Sequence, residues 1–161
     1  MRKWIGIGLL LAGLYFASVL IRASLMESNA EERMEAILKD ISTPWQAEKI
    51  RFHGSDWLNN RARLTPEELA RLASNDLGAL RRIERGPDCV FQSGHETSNP
   101  DKKIIWAMCE VTAHFDKNTA KLKIRLVDEP VTKPTLFGLP GKNLKLNDIA
   151  DIQLIKNGDH Q

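Results

Sequence analysis

Cysteine is scarce in this chain: Cys89 and Cys109 are the only two. Neither lies near the N-terminus, which excludes lipoprotein processing there, and their spacing is not the CxxC of a redox or zinc motif. An excess of one charge is also missing. All 21 acidic residues fall within 26–161, where basic residues nearly balance them, and the formal +2 belongs to Arg2, Lys3 and Arg22. There is no general basic field, so no nucleic-acid partner is expected. Catalytic signatures are lacking as well, with no GxSxG, no phosphate-cradling glycine loop and no Ser-x-x-Lys. The four histidines, His53, His95, His114 and His160, are not spaced to gather round a metal, and neither a metal nor another cofactor is expected. His95 and Glu96 read as a solvated pair in a hairpin loop. His114, beside Glu110 and Thr112, would serve as a general base only if its sheet face lined a pocket. No residue is assigned a catalytic role, and the chain reads as a binding or structural protein before an enzyme.

What stands out is one uncharged run, Trp4 to Ile21, bracketed by Arg2 and Lys3 before it and Arg22 after it. As a helix it would be roughly 27 Å long, close to the roughly 30 Å hydrocarbon core of a bilayer. A cleaved secretory signal is the competing reading, but small residues at a cut site are poorly supplied: the only tolerable cut follows Ala23, with Arg22 inside it. The chain is thus expected to divide into a membrane anchor, residues 1–25, and one domain, residues 26–161. The leading Arg2 and Lys3 favour a cytoplasmic N-terminus and an exported domain, giving a single-pass protein of a bacterial inner membrane with its domain in the periplasm. Gly8 with Ala12, and Gly13 with Ala17, are spaced as membrane helices that pack closely space their small residues. A lipid-facing helix has the same pattern by chance.

The exported part is long enough for one compact domain with a real core. A helix is expected from a capping box at Ser28 to Glu31, with Met34, Ile37, Leu38 and Ile41 on one buried face, running on from the membrane through a short joint. Thr43 and Pro44 repeat the start signal, with Trp45 and Ile50 facing inward and a stop around His53, Gly54 and Ser55. A third start at Thr65, Pro66 and Glu68 carries Leu69 and Leu72 to an end near Asn75 or Gly78.

Beyond Gly78 the period becomes alternating, and the rest reads as antiparallel strands. A hairpin turning at Ser98 to Asp101 and centred on Asn99 sets Cys89 opposite Cys109, within disulfide reach. The next turn, Asp116 to Thr119, is expected to pair Phe115 with Ala120, Val111 with Ile124, and Glu110 with Arg125, leaving one face apolar and the other polar. In an oxidising compartment the cysteines would form one disulfide, while a one-residue slip would leave two reduced core thiols. Arg81, Arg82 and Arg85 with Lys121, Lys123 and Arg125 would form a basic stripe, interrupted by Glu84 and Glu110, suited to acidic lipid headgroups or an acidic partner. From Asp128 to Leu146 the alternation fails among Pro130, Pro134, Gly138, Pro140 and Gly141. So long a patternless stretch is functional or loosely ordered. Its apolar tip, Leu136, Phe137 and Leu139, reads either as a partner-binding arm or as a flap over the outer sheet face around Trp106. Ile149, Ile152, Leu154 and Ile155 close the chain as a last strand.

Two segments, TPEELARLASNDLGALRRIERGP (Thr65 to Pro87) and CEVTAHFDKNTAKLKIRLV (Cys109 to Val127), resemble small exported bacterial members of the nuclear-transport-factor-2-like superfamily. The resemblance spans Glu31 to Val127 and departs in the Asp128 to Leu146 stretch. It implies an α+β cystatin-like roll, helices packed on a curved antiparallel sheet, with a pocket between the layers in some members and frequent homodimers. It does not imply an activity. The layout is also similar to that of the bitopic scaffold subunits of type IV secretion machines. The expected function is therefore a periplasmic protein-binding domain, a structural or assembly component of an envelope complex. The alternative is a small-molecule or lipid binder, or an enzyme, using a pocket between sheet and helices.

Overall fold

Between Arg2 and Ile41 every residue is helical, so the first element is one unbroken helix, α1 (Arg2–Ile41). A computed structural model describes residues 2–96, 99–128 and 144–155, with side chains at 13–95, 104–128 and 144–155. The expected joint and capping box at Ser28 do not form. Nothing from Leu14 to Ile41 is glycine or proline, and extending an existing helix adds a hydrogen bond per residue without a new nucleation cost. Ser28 is simply an interior residue of α1.

Three short helices follow. Residues Thr43 and Pro44 do not begin one: their peptide bond is cis, Ser42 and Trp45 are bridged, and α2 (Ala47–His53) starts only after Gln46. It ends at His53, where the stop was expected. A helix that periodicity did not suggest, α3 (Asp56–Asn60), is capped by Ser55, whose hydroxyl accepts from the Leu58 amide at 3.2 Å. The last, α4 (Pro66–Asp76), begins at the expected capping box, in which Thr65 and Glu68 satisfy one another's backbone amides. Leu69 is buried, whereas Leu72, expected beside it, is exposed.

Gly78 then turns the chain into the sheet with φ of +78°. An L side chain is strained there, and a Cβ would lie 2.9 Å from Asp116 Cβ. The sheet is a meander of β1 (Leu80–Glu96), β2 (Asn99–Phe115), β3 (Thr119–Asp128) and β4 (Leu144–Ile155), antiparallel throughout and ordered β1-β2-β3-β4. The α+β class is thus observed, with the four-stranded antiparallel sheet covered by helices on one side.

Pairing follows the sequence closely on β1–β2 and less closely beyond. The register centred on Asn99 holds from Cys89 opposite Cys109 to His95 opposite Lys103, then shifts so that Glu96 meets Asn99. On β2–β3 the expected register is wrong by two residues. His114 faces Thr119, Ala113 faces Ala120, Val111 faces Leu122, and Glu110 faces Lys123 rather than Arg125. A slip of two keeps every side chain on its expected face. Its cause is tertiary: the Asp116 amide donates to Ala79 O and the Lys117 amide to Leu77 O, both at 2.9 Å, while the Phe115 amide donates to Asn118 O. These bonds tighten the turn to residues 115–118. β4 begins two residues before the expected end of the patternless stretch, with Leu144 and Leu146 fully buried. Register shifts in β4 near Asn147 and Ala150 explain why its apolar period looked irregular.

The core lies between α1 and the inner sheet face. Ala30, Met34, Ile37, Leu38 and Ile41 of α1 meet Ala107, Cys109, Val111, Ala113, Leu122, Ile124 and Leu126. Alanines and a half-cystine at sheet positions let the α1 backbone approach closely, while the larger residues of α1 fill the gap. Trp45 closes one end, stacked on Phe115 with ring centroids 6.1 Å apart.

Candidate interaction surfaces

The N-terminal half of α1 carries a dense run of exposed apolar side chains. Leu14, Tyr15, Phe16, Val19, Leu20 and Ile21 are all exposed, most of them by 60% or more. Successive helical residues are rotated by about 100°, so Leu14, Tyr15 and Phe16 point to three different sides, as do Val19, Leu20 and Ile21. A stripe would suit docking on one surface, whereas an apolar surface on every side suits a medium that surrounds the helix. Among the described residues no helix is long and apolar enough to cross a membrane. The run Trp4–Ile21 lies only partly within that description, because its side chains are described from Gly13 onward. Among the described side chains of α1 the first fully buried one is Ala30, so the helix joins the domain about two turns after Arg22.

A polar network occupies the outer sheet face. His114 Nδ1 lies 2.8 Å from Thr119 Oγ1, and its Nε2 lies 3.0 Å from Glu84 Oε2 and 3.3 Å from an Arg82 guanidinium nitrogen. An acid, an imidazole and a hydroxyl in this order have the connectivity of a proton relay. Thr119, however, is buried, and a depression of about 50 Å³ on the sheet is lined by Glu110, Lys121, Lys123, Asp151 and Gln153, with no member of the relay among them. Glu110 accepts from Lys121 at 2.6 Å and approaches Lys123 at 3.3 Å. The hydrogen bond from Lys121 first, and that from Lys123 second, hold its carboxyl below the usual glutamate range. Three of the six cations of the expected basic stripe are thus paired with two carboxylates: Arg81 with Asp116, and both lysines with Glu110.

A third cluster was not visible in the sequence. His53, buried at the end of α2, has Nε2 at 2.8 Å from Asp40 Oδ2 and Nδ1 at 3.5 Å from an Arg33 guanidinium nitrogen. Arg33 Nε also donates to the carbonyl of Leu144, the first residue of β4, at 3.3 Å. The hydrogen bond from His53, ahead of that from Lys49, lowers the Asp40 carboxyl pKa. Arg33 and Asp40 are seven residues apart, two helical turns, and so share a side of α1. That spacing was the only available signal. No group of three or more His, Cys, Asp or Glu side chains among the described residues is placed to hold a metal.

The edge strand β4 offers a fourth surface. Its second half is exposed: Ile152 and Leu154 leave apolar area uncovered although their β3 partners Leu122 and Ala120 are fully buried, and Ile155, opposite Thr119, is exposed beside them. Near its start the outer side of β4 is bridged to Gly54 and Ser55 through Leu146; along its second half no described strand pairs with that side, the arrangement of an open edge.

The residues singled out from sequence fall as follows. Cys89 and Cys109 are joined by a disulfide across β1 and β2, with Cα atoms 4.1 Å apart, and both are buried. Leu136, Phe137 and Leu139 lie outside the described residues, in the segment linking Asp128 to Leu144, and those two residues are direct partners across β3 and β4. His95 is exposed near the end of β1, and His160 lies outside the described residues. Comparison with protein-family models, with curated proteins and with solved structures finds no match to this chain.

Proposed function

We propose that this chain is a single-pass inner-membrane protein, anchored through residues 4–21 with its N-terminus cytoplasmic, whose periplasmic domain binds other envelope proteins as a structural or assembly component. The observation that carries the reading is the all-round apolar exposure of α1 at Leu14–Phe16 and Val19–Ile21, continuous in one helix with a well-packed core. An exposed helix with no polar side needs a surrounding apolar medium. The buried disulfide supports an oxidising compartment. A helix held within a sheet supports the cystatin-like roll and the nuclear-transport-factor-2-like resemblance, with a homodimer as one form of its assembly.

Binding of protein partners is supported by the second half of the β4 edge, which no described strand covers, with its exposed Ile152, Leu154 and Ile155. The tip residues Leu136, Phe137 and Leu139 are retained as a second partner-binding element. The alternative reading, a small-molecule or lipid binder or an enzyme using an internal pocket, is disfavoured by the side chains that fill the space between the layers, among them Met34, Ile37, Leu122, Ile124 and Leu126.

The test uses the full chain in a bacterial host. Alkaline carbonate extraction should leave it in the membrane pellet, protease added to spheroplasts should remove the domain, and crosslinking in intact cells should capture envelope proteins. Release into the soluble fraction would overturn the anchor. Crosslinks to the chain alone would reduce the assembly role to self-association.

A further inference from the structure

We propose that His53 is a proton-operated latch that moves the grip of α1 from the start of β4 to α2. The protonation state in the structure follows from the partners of the ring. A guanidinium has only donors, so the His53 Nδ1 that faces Arg33 at 3.5 Å must be an acceptor, and the proton sits on Nε2, 2.8 Å from Asp40 Oδ2. In this arrangement both ring nitrogens have a partner. Arg33, held on one side by that ring nitrogen, reaches the Leu144 carbonyl with its Nε at 3.3 Å. Beside this bond Gly54 is bridged to Leu146, and the Ser55 amide donates to Leu146 O at 2.8 Å. Together these contacts seat β4 against the helices.

A second proton on the ring changes its two sides in opposite directions. Nδ1–H then points a donor at a donor and one cation at another, so Arg33 must withdraw and its bond to Leu144 is lost. On the other side the imidazolium binds the Asp40 carboxylate more tightly, because the hydrogen bond becomes charge-assisted. The link between α1 and α2 strengthens as the link between α1 and β4 breaks. The charges around the ring are Arg33 and Asp40 from α1, and Lys49 from α2, whose ammonium lies 3.1 Å from Asp40 Oδ1. Lys145 of β4 donates to the Phe52 carbonyl at 3.3 Å; α2 also carries Glu48 and Arg51, the latter paired with Glu67, α3 begins with Asp56, and β4 carries Asp148 and Asp151 further along. The ring itself is buried, while Arg33 is half-buried, so the contact is only partly screened by solvent.

The experiment is hydrogen exchange with mass spectrometry on the detergent-solubilised full chain at pH 7.5 and 5.5, corrected for intrinsic exchange. ¹⁵N NMR of the Arg33 Nε resonance is followed over the same range. The expected result is a severalfold loss of protection at the Ser55 amide and the first residues of β4 at the lower pH, while amides between β2 and β3 are unchanged. The Arg33 Nε resonance should move in step with the His53 ring. In His53→Asn, with no titrating group, the difference between the two pH values should vanish. In Arg33→Met, protection should be low at both. A wild-type β4 start that is equally protected at both pH values would overturn the latch, as would a His53→Asn variant that keeps the pH dependence. If His53→Asn does not fold, an Arg33 Nε resonance that stays fixed while His53 titrates overturns the proposal, and one that follows it supports it. The latch does not rest on the membrane or partner readings, and its failure would leave them untouched.

Discussion

The indole Nε1 of Trp45 donates to the carbonyl oxygen of Gly78 at 2.8 Å, joining the turn after α1 to the turn that opens the sheet. The bond is buried, and in the same region the Leu80 amide donates to Ser42 O at 2.9 Å. Replacing Trp45 with Phe keeps most of the apolar contact with Phe115 but leaves the Gly78 carbonyl unsatisfied. A loss of about 1–3 kcal/mol is expected from the stranded acceptor, read as a lower urea midpoint with an unchanged m value.

Gly78 itself is the next test. Its positive φ and the 2.9 Å approach of a would-be Cβ to Asp116 both oppose any side chain. Gly78→Ala should cost about 1–3 kcal/mol. The loss should shrink in an Asp116→Gly background, since the tightest contact is then removed while Lys117 Cγ at 3.3 Å and the backbone part of the penalty stay.

Reduction of the Cys89–Cys109 disulfide should destabilise the domain by about 2–4 kcal/mol. The double variant Cys89→Ala with Cys109→Ala should show a similar loss in thermal melts. Local exchange should rise most on β1, an edge strand whose ladder is already interrupted by register shifts around Ile83, Arg85 and Asp88. A variant as stable as the oxidised protein would show that the closed loop contributes nothing beyond the sheet.

Acid should weaken the fold through three carboxyls whose pKa values are lowered. Asp40 is lowered chiefly by the His53 hydrogen bond, Glu68 by the Thr65 backbone amide, and Glu110 by Lys121. A lowered folded-state value means that the stabilisation is present above the ordinary carboxylate pKa and is lost as pH falls through the folded one. The melting temperature should therefore drop below about pH 4.5, where carboxyls begin to protonate. All three groups are accessible to solvent, so high salt should flatten the effect. Asp40→Asn and Glu110→Gln should each lower stability at pH 7 and make the acid limb shallower. A melting temperature equal to that of the wild-type chain at neutral pH would remove the corresponding pair from the account.

Features encoded within a few residues of one another were legible in the sequence. Thr65, Pro66 and Glu68 announce α4 because a capping box is a local device. Cys89 faces Cys109 because alternation on both arms of one hairpin fixes the pairing, and the apolar and polar faces of β2 and β3 follow in the same way. What failed depended on partners remote in sequence. The two-residue register error arises at Asp116, whose backbone and carboxylate are bound to Ala79 and Arg81 from another part of the chain. The exposure of Ile152 and Leu154 depends on how far the helices reach across the sheet, which no strand pattern records. Arg33, Asp40 and His53 meet only because the turn after α1 folds α2 back along it. Ser28 carried a genuine start signal, but in an already propagating helix it had nothing to start.

The unbroken α1 has a geometric consequence. A helix of 40 residues is a rod about 60 Å long, and it transmits rotation as well as length. Whatever grips its first half fixes the azimuth of the sheet: one residue inserted between Arg22 and Ala30 would swing β4 round by about 100°, and four would bring it nearly back into phase. The direction in which the exposed half of that edge faces is thus written in the residue count of a segment that contributes no fully buried side chain.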